Sequence, residues 1–288
     1  MNVLLIANPE AGSARDVELS ELRDALGSLG EVSISEGGDE AVIVRDADGV
    51  DAVVVAGGDG SFNLAVNALG ERLEELVFGL LPMGTGNDLA RTLGIPEDPI
   101  EAAGALSAER THGIDLGLVT SDDFRRFFVN ACMGGFPVRV DEAVDHRTKG
   151  VLGPAAFWWG GIKAATDIER TTVTVNGREV NDCVAVGVGN GRTCGGGIEV
   201  WPGAVVNDQL LDFAVLPAGS NVAALQLAAK VKGGSHLELE DVVYGRDKRI
   251  YIESIDPIPF NADGELFDLS TPLTFEVVGS LKMFASSG

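Results

Sequence analysis

The chain is poor in positive charge, in cysteine and in long apolar runs, and each shortage closes off a class of function. Against 44 Asp and Glu stand 21 Lys and Arg, a net charge of −23. Nucleic acid is excluded as a partner, because binding it depends on lysines and arginines displacing counterions. The acidic excess reads as a solvated surface suited to concentrated salt. In molar salt the screening length falls to ~3 Å and self-repulsion is suppressed, so a halophilic source is expected. The three cysteines, Cys132, Cys183 and Cys194, are an odd number without paired spacing, as for small buried hydrophobes in a reducing compartment. No apolar run reaches membrane-spanning length. The N-terminal NVLLIA run lacks the basic segment that opens a signal peptide. The expectation is a cytoplasmic protein, peripheral to the membrane if its substrate is a lipid. His112, His146 and His236 show no ligand spacing, and a GxxxxGK[ST] loop is absent, which excludes a P-loop mechanism.

Glycine, in contrast, is plentiful, and two glycine turns follow apolar strands. Val53-Val54-Val55-Ala56 reads as a buried parallel strand that runs into Gly57-Gly58-Asp59-Gly60-Ser61. Val77-Phe78-Gly79-Leu80-Leu81 is a second such strand, leading into Pro82-Met83-Gly84-Thr85-Gly86-Asn87-Asp88. Glycines let backbone amides approach phosphate oxygens closely. A carboxylate beside bound phosphate repels it unless a divalent cation lies between.

Strands at 3–7, 52–56 and 77–81 alternate with helices, one with Leu19, Leu22, Leu26 and Leu29 on a single face and another starting near Asn87. Such βα units imply a parallel sheet with helices on both faces and ligands at the carboxyl ends of its strands. After residue 117 short strands dominate, at 126–132, 171–176, 183–189, 211–216, 248–253 and 273–278. Helical stretches near 137–168 and 221–232 interrupt them. The fold class is therefore α/β with a β-rich second domain.

Further motifs follow in order. Asn8-Pro9 with Gly12 precedes the GGDGS turn and Asn63, and LPMGTGNDLAR fills 81–91. Then come Ile114-Asp115-Leu116-Gly117, Phe128-Val129-Asn130 with Gly134-Gly135-Phe136, and Gly189-Asn190-Gly191 with Gly195-Gly196-Gly197. Pro202, Ala204, the 208–212 stretch and Asp263-Gly264-Glu265 close the series. In these residues the chain resembles the diacylglycerol kinase catalytic-domain family, shared by bacterial lipid kinases, sphingosine kinases and ceramide kinases. GGDGS alone also occurs in NAD kinases and is similar to a phosphofructokinase turn; GTGNDLAR with the late Asp-Gly-Glu is more specific.

The resemblance implies an N-terminal parallel-sheet nucleotide-binding domain, NAD kinase/phosphofructokinase-like, over 1–117, with residues about 280–288 returning to it. It implies a C-terminal β-sandwich lipid-substrate domain over 118–279, with the nucleotide in the cleft between the two. The implied function is an ATP-dependent lipid kinase of phospholipid biosynthesis. Its acceptor is the hydroxyl of a diacylglycerol-like or glycerol-ether lipid, reached by transient contact with a membrane surface, and a homodimer is the expected assembly. The alternatives are an NAD kinase, against which the chain lacks a mid-chain Asn-Glu pair, and a non-catalytic nucleotide- or lipid-binding protein.

Residue by residue, Asn8, Gly58, Gly60, Ser61, Gly84 and Thr85 match positions lining the ATP site. Asp59, Asp88 and Asp115 match those around Mg²⁺ and its waters. By their own pattern Asp88 is also a good helix cap and Asp115 a loop anchor. Glu265 matches the general base, with Asp59 as the alternative; taken alone, its Asp-Gly neighbours read as a hairpin turn. Asp208 and the Leu210 carbonyl match a structural Mg²⁺ site, although Gln209 replaces the family's usual glycine. Ser61 replaces Thr and keeps the hydroxyl, while Leu64 replaces Glu and removes a charge. Phe157-Trp158-Trp159 suits either an acyl-chain contact or a core helix.

Overall fold

A computed structural model describes residues 1–7, 18–135 and 168–286, and the chain divides into two compact units, Met1–Leu116 with Gly279–Gly288 and Gly117–Val278. The first contains β1 (Asn2–Ala7), α1 (Leu19–Ala25), β2 (Glu31–Ser35), α2 (Glu40–Asp46), β3 (Ala52–Gly57) and α3 (Asp59–Ala68). It continues through β4 (Val77–Pro82), α4 (Asp88–Leu93) and α5 (Pro99–Ala105), and β5 (Leu106–Thr120) leads out. The strands pair in the order β4-β3-β1-β2, all parallel, and Lys282 and Met283 pair in parallel with Val77 and Phe78 on the other side of β4.

Every residue of β3 is buried, as a strand covered on both faces requires, so its sequence is a continuous apolar run rather than an alternation. Val54 and Ala56 join Leu22, Leu26, Leu29, Ala102, Ala103 and Phe284 in one core. The leucine spacing of α1 therefore does face the sheet, although the helix ends at Ala25 and a 3-10 turn carries Leu26. Phe62 of α3 meets Phe78 edge to face at 6.1 Å, a geometry worth about 0.5–1.5 kcal/mol beyond the area buried. β2 and α2 are two elements beyond those expected from the apolar pattern. β2 is mostly exposed, so it carries no apolar signature, and α2 is set by a cap, Asp39 Oδ1 accepting from the Ala41 N–H at 2.7 Å.

The second unit contains β6 (Arg125–Phe128), β7 (Ala131–Gly135), β8 (Thr171–Val175), β9 (Arg178–Gly189), β10 (Thr193–Cys194) and β11 (Ile198–Glu199). β12 (Leu211–Pro217), a helix α6 (Asn221–Lys232), β13 (Val243–Asp247), β14 (Arg249–Ser254), β15 (Pro259–Ala262), β16 (Glu265–Ser270) and β17 (Leu273–Ser286) follow, and from Gly279 onward β17 belongs to the first unit. Its strands run β16-β15-β7-β9-β8-β14-β17, with β12 on β9 and β13. Alternate residues of β7 and β9 serve two cores. Cys132, Val186 and Val188 join Phe128, Phe260 and Phe275 in the larger core, while Ala131, Met133 and Ala185 join Trp201 and the Ala224, Leu227 and Val231 face of α6.

The single strand expected at 126–132 is two strands. The break falls at Val129 and Asn130, whose N–H groups leave the ladder for the Asp263 carboxylate. The strand expected at 183–189 begins earlier, at Arg178, because Asn176 and Gly177, with φ of 48° and 82°, turn β8 back as a hairpin. α6 lies where its pattern placed it, and Ser220 caps it. All three cysteines are buried and free of disulfides. Burial pushes the Cys183 thiol up to about 12. Asn8, Pro9, Gly12, His146, Phe157, Trp158, Trp159 and nearly all of the 137–168 stretch lie outside the described residues. Among the described residues no helix is long and apolar enough to cross a membrane.

Candidate functional site

In the first unit the two glycine turns meet backbone to backbone. A Cβ on Gly84 would lie 2.4 Å from the Gly58 Cα, and one on Gly58 would lie 3.0 Å from the Gly84 Cα. Parallel pairing of β3 with β4 sets this approach, since the Met83 N–H continues the ladder to the Gly57 carbonyl at 3.0 Å. The second turn closes on itself through Asn87. Its Oδ1 accepts from the Gly84 N–H at 2.9 Å, and its Nδ2 donates to the Gly84 carbonyl at 2.8 Å. Asn87 sits at φ 50°, in the left-handed region that Asn tolerates better than most residues.

α4 has no cap from its own preceding residue. Asp59, from the start of α3, does that work: the N–H groups of Asp88 and Leu89 donate to its Oδ2 and Oδ1 at 3.0 and 2.9 Å. One carboxylate thus ties the two turns together and sits at the positive end of α4. Asp88 is buried and pairs with Arg91 at 3.3 Å, and the same Arg91 nitrogen donates to the Gly86 carbonyl at 3.0 Å. Gly60 and Ser61 lie in the first turn of α3, whose opening amides have no intrahelical acceptor. Thr85 is exposed, and its turn borders an open groove of about 700 Å³. Asp115 is buried on β5.

In the second unit three of the quoted motifs share one network. Asp263 and Gly264, at φ 48° and 83°, form the tight turn between β15 and β16, with Ala262 opposite Glu265. The Asp263 carboxylate is buried and accepts from three consecutive N–H groups, Val129, Asn130 and Ala131, each at 2.9 Å. The Asn130 carbonyl in turn accepts from Asn190 and Gly191 at 2.8 and 2.9 Å, and Asn190 Nδ2 donates to the Val129 carbonyl at 2.9 Å. Glu265 stands exposed where β16 begins. Its placement therefore depends on the neighbour two residues before it. Burial, reinforced by the Asp263 charge, holds the Cys132 thiol well above its ordinary range.

Asp208, expected with the Leu210 carbonyl at a structural magnesium ion, is engaged otherwise. Its Oδ1 accepts from the Leu210 N–H at 3.1 Å and its Oδ2 from the Arg246 guanidinium. Gln209, between them, takes φ 63°, the conformation that glycine adopts without cost. Among the described residues no group of three or more His, Cys, Asp or Glu side chains is placed to hold a metal. Three working residues were missed in the sequence reading. Asn87 and Asp263 stood inside quoted motifs without a role, and Arg246 stood in none. Nothing local marks Asp263 as an anchor, because its partners lie more than 130 positions away.

Comparison with known proteins places this geometry. The model of the diacylglycerol kinase catalytic domain matches residues 2–119, and that of the YegS C-terminal NAD kinase beta sandwich-like domain matches 130–285. The chain is 36% identical over 263 residues to a "Probable lipid kinase YegS-like" of Stenotrophomonas maltophilia, covering 85% of each. It is 33% identical over 270 residues to a protein of the same name from Pseudomonas putida, covering 91% of this chain and 88% of the relative. A Bacillus anthracis crystal structure described as "a putative diacylglycerol kinase" superposes with a TM-score of 0.83 at 26% identity, over 99% of this chain and 95% of the other. These relatives bring no support for a halophilic source.

Proposed function

The chain belongs to the diacylglycerol kinase catalytic-domain family, and from that premise we propose that it transfers the γ-phosphate of ATP to the hydroxyl of a diacylglycerol-like or glycerol-ether lipid. The observation that carries this reading is the approach of Gly58 to Gly84, where a side chain on either turn would fill the space beside the other's backbone. Phosphoryl transfer asks the protein for alignment and charge stabilisation more than for covalent chemistry. Amides at Gly58, Gly60 and Gly84, with the Ser61 and Thr85 hydroxyls, can hold phosphate oxygens without a P-loop lysine. Asn8 joins them by resemblance.

The donor set also suits Mg²⁺, which is usually held by one or two carboxylates, phosphates and several waters rather than by an all-protein cage. Asp59 and Asp88, at the meeting of the two turns, would hold it, with Asp115 assigned by resemblance alone, and the ion would neutralise charge on the phosphoryl oxygens. Glu265 takes the role of receiving the hydroxyl proton, and the lipid is met by transient contact with a membrane surface.

Transfer from labelled ATP to a panel of diacylglycerol, a glycerol ether lipid, sphingosine and NAD tests the reading. Label is expected in a glycerol lipid and only with Mg²⁺ present. The panel includes NAD because the second domain model is described as NAD kinase-like. Label in NAD alone would replace the proposal by an NAD kinase. ATP binding with no transfer to any acceptor would replace it by a nucleotide-binding protein.

A further inference from the structure

The second unit carries a cluster that the phosphoryl-transfer reading does not use. Asp212 of β12 lies opposite Arg246 of β13 in an antiparallel register, and Tyr244 is two residues from Arg246 on the same face. Arg246 donates to Asp208 Oδ2 and lies 3.4 Å from Asp212 Oδ2 through its Nε. Tyr244 donates its hydroxyl to Asp212 Oδ1, and the Leu210 N–H donates to Asp208 Oδ1. All four carboxylate oxygens therefore have a partner, and two of the four are held by one guanidinium. The Asp212 side chain is 1% exposed.

A magnesium ion here would need near-octahedral oxygen ligands at close range. It would also have to sit against a guanidinium that stays charged at any ordinary pH. The residues present do not fit the ion. We infer that Arg246 is the built-in cation of this cluster, holding the 208–212 segment against β13 in place of a divalent metal. It follows that the 208–212 segment keeps its place against β13 without a divalent cation. The planar fork of arginine suits the task, because it can reach two carboxylates at once where a lysine offers a single point charge.

The test uses the full chain without nucleotide and reads stability and binding. Wild-type melting temperature should be the same in chelator as in Mg²⁺ at matched ionic strength. Arg246→Ala should melt lower in chelator, on the order of 5–10 °C, because it strands a buried carboxylate. Added Mg²⁺ or Mn²⁺ should recover much of that loss, and Asp208→Asn placed on top of Arg246→Ala should abolish the recovery. If Arg246→Ala fails to fold, Mn²⁺ binding followed by electron paramagnetic resonance on the wild type still decides. No bound Mn²⁺ that Asp208→Asn removes is expected. A wild-type site lost in Asp208→Asn overturns the inference, as does Arg246→Ala melting like wild type in chelator.

Discussion

Asp59 commits both carboxylate oxygens to the amides that open α4, so a substitution there probes capping and charge together. Asp59→Asn keeps one acceptor oxygen and the shape but loses the charge. We expect a folded protein, less stable by about 1 kcal/mol as for loss of a helix cap, with phosphoryl transfer abolished. Near-wild-type turnover of the folded variant at saturating Mg²⁺ would remove Asp59 from the metal. Glu265 poses the complementary question. It is exposed, so Glu265→Gln should leave the melting temperature unchanged. If it is the base, kcat should fall by about 10²–10⁴ with little change in KM for ATP, and the acidic limb of the pH–rate profile should vanish. A variant that keeps both rate and limb would send the proton elsewhere, with Asp59 the next candidate.

The two glycine turns meet through close backbone contact, with the Asp59 and Asn87 side chains tying them. β3 and β4 end level, and each turn leaves no room for a side chain on the other. Gly84→Ala places a methyl 2.4 Å from the Gly58 Cα and 2.9 Å from Asn87 Oδ1. Neither neighbour is the flexible end of a side chain, so the backbone must move. We expect a stability loss of about 1–3 kcal/mol and a KM for ATP raised roughly tenfold or more, as follows when cradle amides are displaced by about 1 Å. Gly94, with φ 68° and open space around its Cβ position, is the control. Gly94→Ala should weaken the protein through backbone strain while leaving the KM for ATP alone. Equal effects on KM at both sites would mean that the turns act only as connections.

Across the whole molecule the acidic excess and one buried histidine set how stability responds to solvent. With a net charge of −23, self-repulsion opposes the compact state. Raising KCl shortens the screening length from about 10 Å at 0.1 M to about 3 Å at 1 M, so melting temperature should climb along that series. A flat or falling series would show that the charges are already compensated locally. His236 is fully buried, with Nε2 2.9 Å from the Val200 carbonyl, which can only accept, so Nε2 carries the proton of a neutral ring. Burial lowers its pKa from the ordinary 6.5. Between the lowered value and 6.5 the unfolded chain holds more protons than the folded one. Stability is thus fully present above pH 6.5 and is lost as pH falls through that window, by up to about 1.4 kcal/mol per unit. Denaturant titrations should show a shallower slope in His236→Gln than in wild type, with a contribution of the same sign from His112, whose pKa burial also lowers, remaining in both.

By itself the sequence determined the features that rest on local periodicity and local backbone chemistry. The βα alternation, the apolar runs of β3 and β4, the leucine face of α1, the span of α6 and the two glycine turns all follow from the pattern of apolar and turn-forming residues along the chain. Tertiary structure decided which distant groups meet. The cap of α4 comes from Asp59, 29 residues earlier, and Asp263 splits an expected strand by drawing three amides from 129–131. Gln209 adopts a backbone conformation that its own identity does not call for, and Arg246 holds Asp212 of β12 and Asp208 of the turn before it. The physical reason is common to the contacts of Asp59, Asp263 and Arg246. Buried polar groups must find partners, and a folded chain supplies them by proximity in space, which spacing along the sequence does not encode.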